Sequence, residues 1–270
     1  MSAPALPSGW PAHLSLGFTR SGARTALTHR SQDGPLLVQK PLYPEGEQVC
    51  HAIVVHPPGG IAGGDDLRLD VKAGAHAAAL LTTPGAGKWY RSAGPWARQK
   101  LAFDVAGTLE WLPRETIVFD GALASLECEV RLTGAARYLG WEMVCLGRSG
   151  SGERFAKGKL LLHTRIARDE KLLWMERGEV EGAGALMRSP VGLAGKTVFG
   201  TLIAAAPVFE PALVNECRKV AATTVLPGLL IARYLGDSTE EAFDRFRSLW
   251  SLLRPAVANR DAVEPRIWST

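Results

Sequence analysis

The residues richest in chemical possibility are the run His56-Pro57-Pro58-Gly59-Gly60-Ile61-Ala62-Gly63-Gly64-Asp65-Asp66, which follows an apolar stretch and ends in two carboxylates. Glycine pairs permit positive φ and close backbone approach. The run is therefore either a tight connection between strands or a loop at which a ligand or partner meets main chain. Its glycines do not fall as GxGxxG and no helical pattern follows, which excludes a dinucleotide site. A second run, Thr83-Pro84-Gly85-Ala86-Gly87-Lys88-Trp89-Tyr90-Arg91, looks at Gly87-Lys88 like the end of a phosphate-binding loop. A Walker A loop needs a glycine where this chain has Thr82 and a Ser or Thr where it has Trp89, so nucleotide hydrolysis is not expected. Lys88, Tyr90 and Arg91 are candidates for a polar face that meets a partner, or else turn-flanking side chains that snorkel over a sheet.

Metal-ligand spacings are missing. The six histidines show no HxH or HxxxH pattern, and Cys50, Cys128, Cys145 and Cys217 show no CxxC. On a strand Cys50 and His56 share one face and His51 takes the other, so no stable metal site is expected from that trio. Glu115 and Asp120 would be the acid–base pair of a β-rich enzyme, yet on one strand they face opposite sides unless a turn intervenes, and no nucleophile or cofactor signature accompanies them. A generic β binding module is the other alternative. It would be expected to carry an export signal, which the Pro-rich stretch from Met1 to Trp10 does not resemble.

The elements that must position these residues read as strands from Leu14 to about Val208. Leu36-Leu37-Val38, Ala52-Ile53-Val54-Val55, Leu67-Arg68-Leu69-Asp70-Val71, Thr116-Ile117-Val118-Phe119 and Leu160-Leu161-Leu162-His163 are short apolar or alternating runs between turn residues. The expected fold is mainly β: an extended antiparallel scaffold, with parallel βαβ winding excluded by the lack of long helical periodicity. The last quarter differs. Pro211 opens a helix carrying Leu213, Val214, Cys217, Val220 and Ala221 at helical spacing. Ser238 and Glu241 form a capping box for a second, whose apolar stripe from Ala242 to Leu253 stops before Pro255. Between them, Thr223–Leu226 and Leu229–Leu235 read as strands joined by Pro227-Gly228, giving a small α/β layer on the β body. With no linker or repeat, one domain over 1–270 is expected, its β body at about 10–208 and its helix-containing part at about 209–270.

The formal charge is +4, from 31 basic and 27 acidic residues that are interspersed, so no patch for nucleic acid or membrane forms. The longest apolar stretch, Val198 to Phe209, is too short to cross a bilayer. A cytoplasmic protein with reduced thiols is expected.

Further runs make the pattern specific: Leu109-Glu110-Trp111-Leu112-Pro113-Arg114-Glu115, Cys145-Leu146-Gly147-Arg148 followed by Gly152-Glu153, and Pro265-Arg266-Ile267-Trp268. With the HPPGGIxGGD and TPGAxKxYR runs, in this order and spacing, the chain from about Gly9 to Trp268 resembles the UreD (UreH) family of urease accessory proteins. The resemblance implies a mostly β, non-catalytic scaffold that joins UreF and the GTPase UreG on apo-urease, holds no tightly bound cofactor, and assists transient passage of nickel(II). Weak, exchangeable carboxylates suit such passage, because dense Cys/His clusters hold transition metals too tightly. By motif position the candidates are Asp65, Glu142 and Glu176. Glu142 and Glu176 lie in apolar strands, where a charge needs either a partner, such as Arg148 or Arg177, or a water-filled channel. Family members often carry a small hydroxyl residue where this chain has Gly87, so no hydroxyl ligand is carried over to that position.

Overall fold

Short apolar runs broken by glycine fold into strands through the body of the chain, which the computed structural model describes for residues 9–269. In order these are β1 (Pro11–Ser21), β2 (Arg24–Asp33), β3 (Leu37–Val38), β4 (Val49–Val55), β5 (Asp66–Ala73), β6 (Ala78–Thr82) and β7 (Gly87–Trp89). There follow β8 (Ala97–Val105), β9 (Thr108–Leu112), β10 (Thr116–Val118), β11 (Leu123–Leu132), β12 (Arg137–Leu146), β13 (Lys159–Arg168) and β14 (Lys171–Glu181). A helical turn, α1 (Ala185–Arg188), leads to β15 (Val198–Ala205), helix α2 (Pro211–Val220), β16 (Ala222–Leu226), β17 (Leu229–Gly236) and helix α3 (Thr239–Ala258). The chain is thus mainly β with two C-terminal helices, as the sequence predicts. Met1–Ser8 and Thr270 of the expected 1–270 domain lie outside the described residues.

The expected antiparallel pairing is corrected. One sheet has seven strands in the order β14-β13-β11-β8-β5-β1-β2, and the run from β13 to β1 is parallel throughout. The other has ten strands, with the order β16-β17-β15-β12-β9-β6-β4-β3 and β7 and β10 alongside, and its run from β12 to β4 is parallel too. Antiparallel neighbours are confined to the flanks, where β2, β14, β3 and β15 to β17 turn back. A parallel pair ordinarily needs a crossover of a dozen or more residues, usually a helix. Here the crossover is a strand of the opposite sheet. The chain passes from β5 to β6, β8 to β9 and β11 to β12 through tight corners, so successive strands fall in different layers and each layer grows in parallel. The corners stack: Ala106 and Gly107 donate to Ala73 O, Thr108 to Ala77 O and Arg137 to Gly107 O. A Cβ on Gly107 would overlap the carbonyl oxygens of Ala77 and Gly74, so glycine is needed for this close approach.

Strand alternation divides the apolar residues between two cores. Leu14, Leu16, Phe18, Leu67, Leu69, Val71 and Phe103 fill the space between the sheets. Leu139, Trp141, Met143, Leu202 and Leu230, from the opposite face of the ten-stranded sheet, meet Phe246, Leu249, Trp250 and Leu253 of α3. Ser238 caps α3 through the Glu241 N–H at 3.1 Å. The apolar stripe expected to stop before Pro255 gains Val257 beyond it, as the helix continues to Ala258 and ends at Asn259 in the left-handed conformation. Pro255 lies on the exposed face of α3, as does Ser251, whose carbonyl loses its donor to the proline ring and can turn to water.

A buried ionic knot fastens α3. Arg254 is fully buried and meets Glu110 of β9 at 3.1 Å and Glu45 at 2.6 Å, while Trp250 Nε1 donates to Glu110 at 2.6 Å and His51 pairs with Glu45 at 2.6 Å. Burial works against ionisation of Glu45, but its hydrogen bonds to His51 and Arg254 win and hold its carboxyl below the ordinary range. Trp268, from the closing Pro265-Arg266-Ile267-Trp268, stacks edge-on against Phe243 and Trp250 and donates its Nε1 to Thr82 at 3.0 Å. Two of the motifs, LEWLPxE and PRIW, thus serve the seam between sheet and helices.

Candidate functional site

Toward β12–β17 and β13–β14 the two sheets enclose a cavity of about 690 Å³ rather than a filled core. Its walls are mostly apolar, including Leu69, Leu101, Trp111, Leu162, Phe199 and Ile203, but a polar belt crosses it. Register builds that belt. In the ten-stranded sheet Glu142 of β12 lies opposite Thr201 of β15, which lies opposite Arg233 of β17. In the seven-stranded sheet Cys128 of β11 lies opposite Thr164 of β13, which lies opposite Glu176 of β14. All six side chains line the cavity, so two rows face one another across it.

The belt is closed on one side. Arg233 donates to Glu176 Oε1 at 2.7 Å and to Thr201 Oγ1 at 3.0 Å. Neither Arg expected as a neutralising partner serves: Arg148 pairs with Glu153 at 3.0 Å, and Glu176 takes Arg233 from the other sheet instead of Arg177. Glu142 has no hydrogen bond or ion pair among the described residues, and burial, followed by the nearby Glu176 charge, pushes its carboxyl up to about 7. Burial likewise raises the Cys128 thiol, with Glu142 adding to it, and raises the Tyr138 hydroxyl beside it. What the arrangement offers is a carboxylate near its titration point, two hydroxyls and a thiol in a low-dielectric space: weak oxygen and sulfur donors that would favour a cation once Glu142 is ionised.

Asp65 is placed elsewhere. It is buried and accepts the N–H of Trp10 on Oδ1 and of Ala62 on Oδ2, each at 2.8 Å, so both oxygens clamp the glycine loop. His56, Gly59 and Gly60 of that loop do line the cavity, and burial lowers the His56 imidazole against the pull of Asp65. The four glycines have a local reason. Gly59 and Gly64 take φ of +75° and +99°, and a Cβ on Gly60 or Gly63 would overlap the Tyr90 ring or the Ser92 hydroxyl. Of the polar-face candidates, Lys88 lines the cavity and is exposed. Tyr90 is half-exposed and packs edge-on against Phe119 at 5.1 Å, and Arg91 reaches Asp120 at 3.5 Å.

Asp120 accepts the N–H groups of Ala156 and Lys157 at 2.8 Å each, which gives it a loop-holding position rather than one beside Glu115, itself next to Arg114 at 3.6 Å. His51 points to the helix side and Cys50 into the inter-sheet core, the opposite facing expected. Among the described residues no group of three or more His, Cys, Asp or Glu is placed to hold a metal ion, and no helix is long and apolar enough to cross a membrane. Sequence reasoning missed Thr201, Arg233, Cys128 and Thr164. Each has the right strand parity, but only the pairing of β11–β13–β14 and β12–β15–β17 brings them together.

The family model described as UreD urease accessory protein matches residues 11–269. A urease accessory protein UreD of Azoarcus sp. (strain BH72) is 56% identical over 270 residues, covering 97% of this chain and 95% of that protein. Those of Dechloromonas aromatica (strain RCB) and Nitrosococcus oceani are 51% and 46% identical, covering 100% and 98% of this chain and 98% and 92% of their own.

Proposed function

The chain belongs to the UreD urease accessory protein family, and from that premise we propose that it is a urease maturation factor. On this reading it performs no chemistry of its own. It works in the cytoplasm, joins apo-urease with UreF and UreG, leaves GTP hydrolysis to UreG, and conducts nickel(II) as cargo toward the urease active site. The observation that carries the passage is the belted cavity, where Glu142 and Glu176 arise from different sheets and converge on one space. A dehydrating nickel ion needs donors that hold it loosely, and isolated carboxylates with hydroxyls meet that need better than a thiolate–imidazole cage. Glu142 and Glu176 are the passage residues in this reading. Asp65 contributes by holding the glycine loop at the cavity wall, and Lys88, Tyr90 and Arg91 form a face for a partner.

The test is urease expressed with its other accessory proteins, with this chain present, absent, or carrying Glu142→Gln and Glu176→Gln together. Metal analysis should find urease nickel-free without the chain, loaded with it, and poorly loaded with the double variant. Full loading without the chain would refute the maturation role; normal loading with the double variant would leave that role and remove the two carboxylates from it.

A further inference from the structure

Glu176 and Arg233 are the one ion pair, among the described residues, that joins a strand of one sheet to a strand of the other. β14, which carries Glu176, is the edge of the seven-stranded sheet, and β17 is next to the edge of the ten-stranded one, so the pair lies where the two layers part. It is partly open to solvent, the side chains being 33% and 43% exposed, whereas the belt runs inward from it through Thr201 to Glu142. The Arg233 guanidinium also lies 5.9 Å from the Trp174 ring centre, a neighbour that tolerates a cation but does not fix one. One positive charge therefore occupies, on a long stem, the outer carboxylate of a belt whose inner carboxylate has no partner among the described residues.

We propose that Arg233 is a tethered counter-cation at the mouth of the cavity: it occupies Glu176 until a divalent cation displaces it, and so sets when the belt takes up a metal ion. This rests on the cation-passage reading above. Exposed pairs of this kind are weak, so an incoming divalent ion, with twice the charge, can take Glu176 while Arg233 swings toward solvent. Arg233 then repels a second cation from the mouth, and its return to Glu176 favours onward movement of the first. No covalent step is involved.

The experiment measures equilibrium binding of nickel(II) sulfate to the full chain, as wild type and as Arg233→Met, Arg233→Lys, Glu176→Gln, Glu142→Gln and the Arg233→Met/Glu176→Gln pair, with thermal melting to confirm folding. Arg233→Met is expected to bind nickel more tightly by roughly fivefold, the most that freeing an exposed carboxylate from one ion pair gives. Arg233→Lys should restore the wild-type affinity, and the Arg233→Met effect should vanish in the Glu176→Gln background. A merely structural arginine would not raise affinity when removed. If wild type binds and Glu142→Gln weakens binding, but folded Arg233→Met binds no better than wild type, the counter-cation idea is overturned and the passage reading stands. If no form binds nickel, both fall.

Discussion

Glu142 is the residue whose environment is most at odds with its chemistry. Its carboxyl ordinarily titrates at 4.5 and is pushed up to about 7 by burial and by Glu176. Between those values the folded chain holds a proton there that the unfolded chain has released, so stability falls as pH rises through this window and levels off above it. Glu142→Gln removes the penalty. It is expected to stabilise the metal-free chain at about pH 8 by on the order of 3 kcal/mol at most, and to change little at about pH 4. Urea unfolding at the two pH values checks this, and a variant less stable than its parent at the higher pH would show that Glu142 is held by a favourable partner. The identity of Glu142 as a carboxylate in an apolar strand was legible in the sequence. Its unpaired state was not, because Arg148, the near cation in sequence, belongs to the Glu153 turn, and the belt's cation, Arg233, sits on a strand that only register brings close.

At the level of elements, the helix layer and the corners carry the fold. Arg254→Met leaves Glu110 and Glu45 buried without their common counter-charge and is expected to cost roughly 3–5 kcal/mol by urea unfolding. A loss near zero would mean that water, not Arg254, satisfies those carboxylates. Gly107→Ala is expected to cost about 2 kcal/mol or more, since its Cβ meets main chain that cannot yield, while Gly85→Ala, with open space around it, should stay within about 0.5 kcal/mol. Equal melting temperatures for the two would contradict the stacked-corner account. Strand positions, the helix at Pro211 and the Ser238 cap are local matters, and alternation, the first-turn proline and the capping box expose them in the sequence. Sheet polarity is not local. A corner such as Ala106-Gly107 reads like a hairpin turn, and nothing in its residues says that the chain folds across to the other layer instead of beside itself.

Taken whole, the molecule is a coil of parallel strands whose two sheets pack tightly around Leu14, Val71 and Phe103 and part toward β14 and β17, with the helix layer keeping the far side of the larger sheet dry. That construction gives a space with a polar belt, and the proposed maturation role would make nickel(II) its cargo. The family was legible from five motifs, yet three of them, the glycine loop, LEWLPxE and PRIW, turn out to hold the scaffold together around the cavity more than to touch its contents. The two carboxylates of the belt are motif-matched positions, but Cys128, Thr164, Thr201 and Arg233 lie between motifs. The most direct test is therefore to fill it. Thr201→Trp places a large ring between Glu142 and Arg233, and urease expressed with this variant and the other accessory proteins should still co-purify with the chain but contain little nickel by metal analysis. Nickel-replete urease from the same preparation would contradict passage through the cavity.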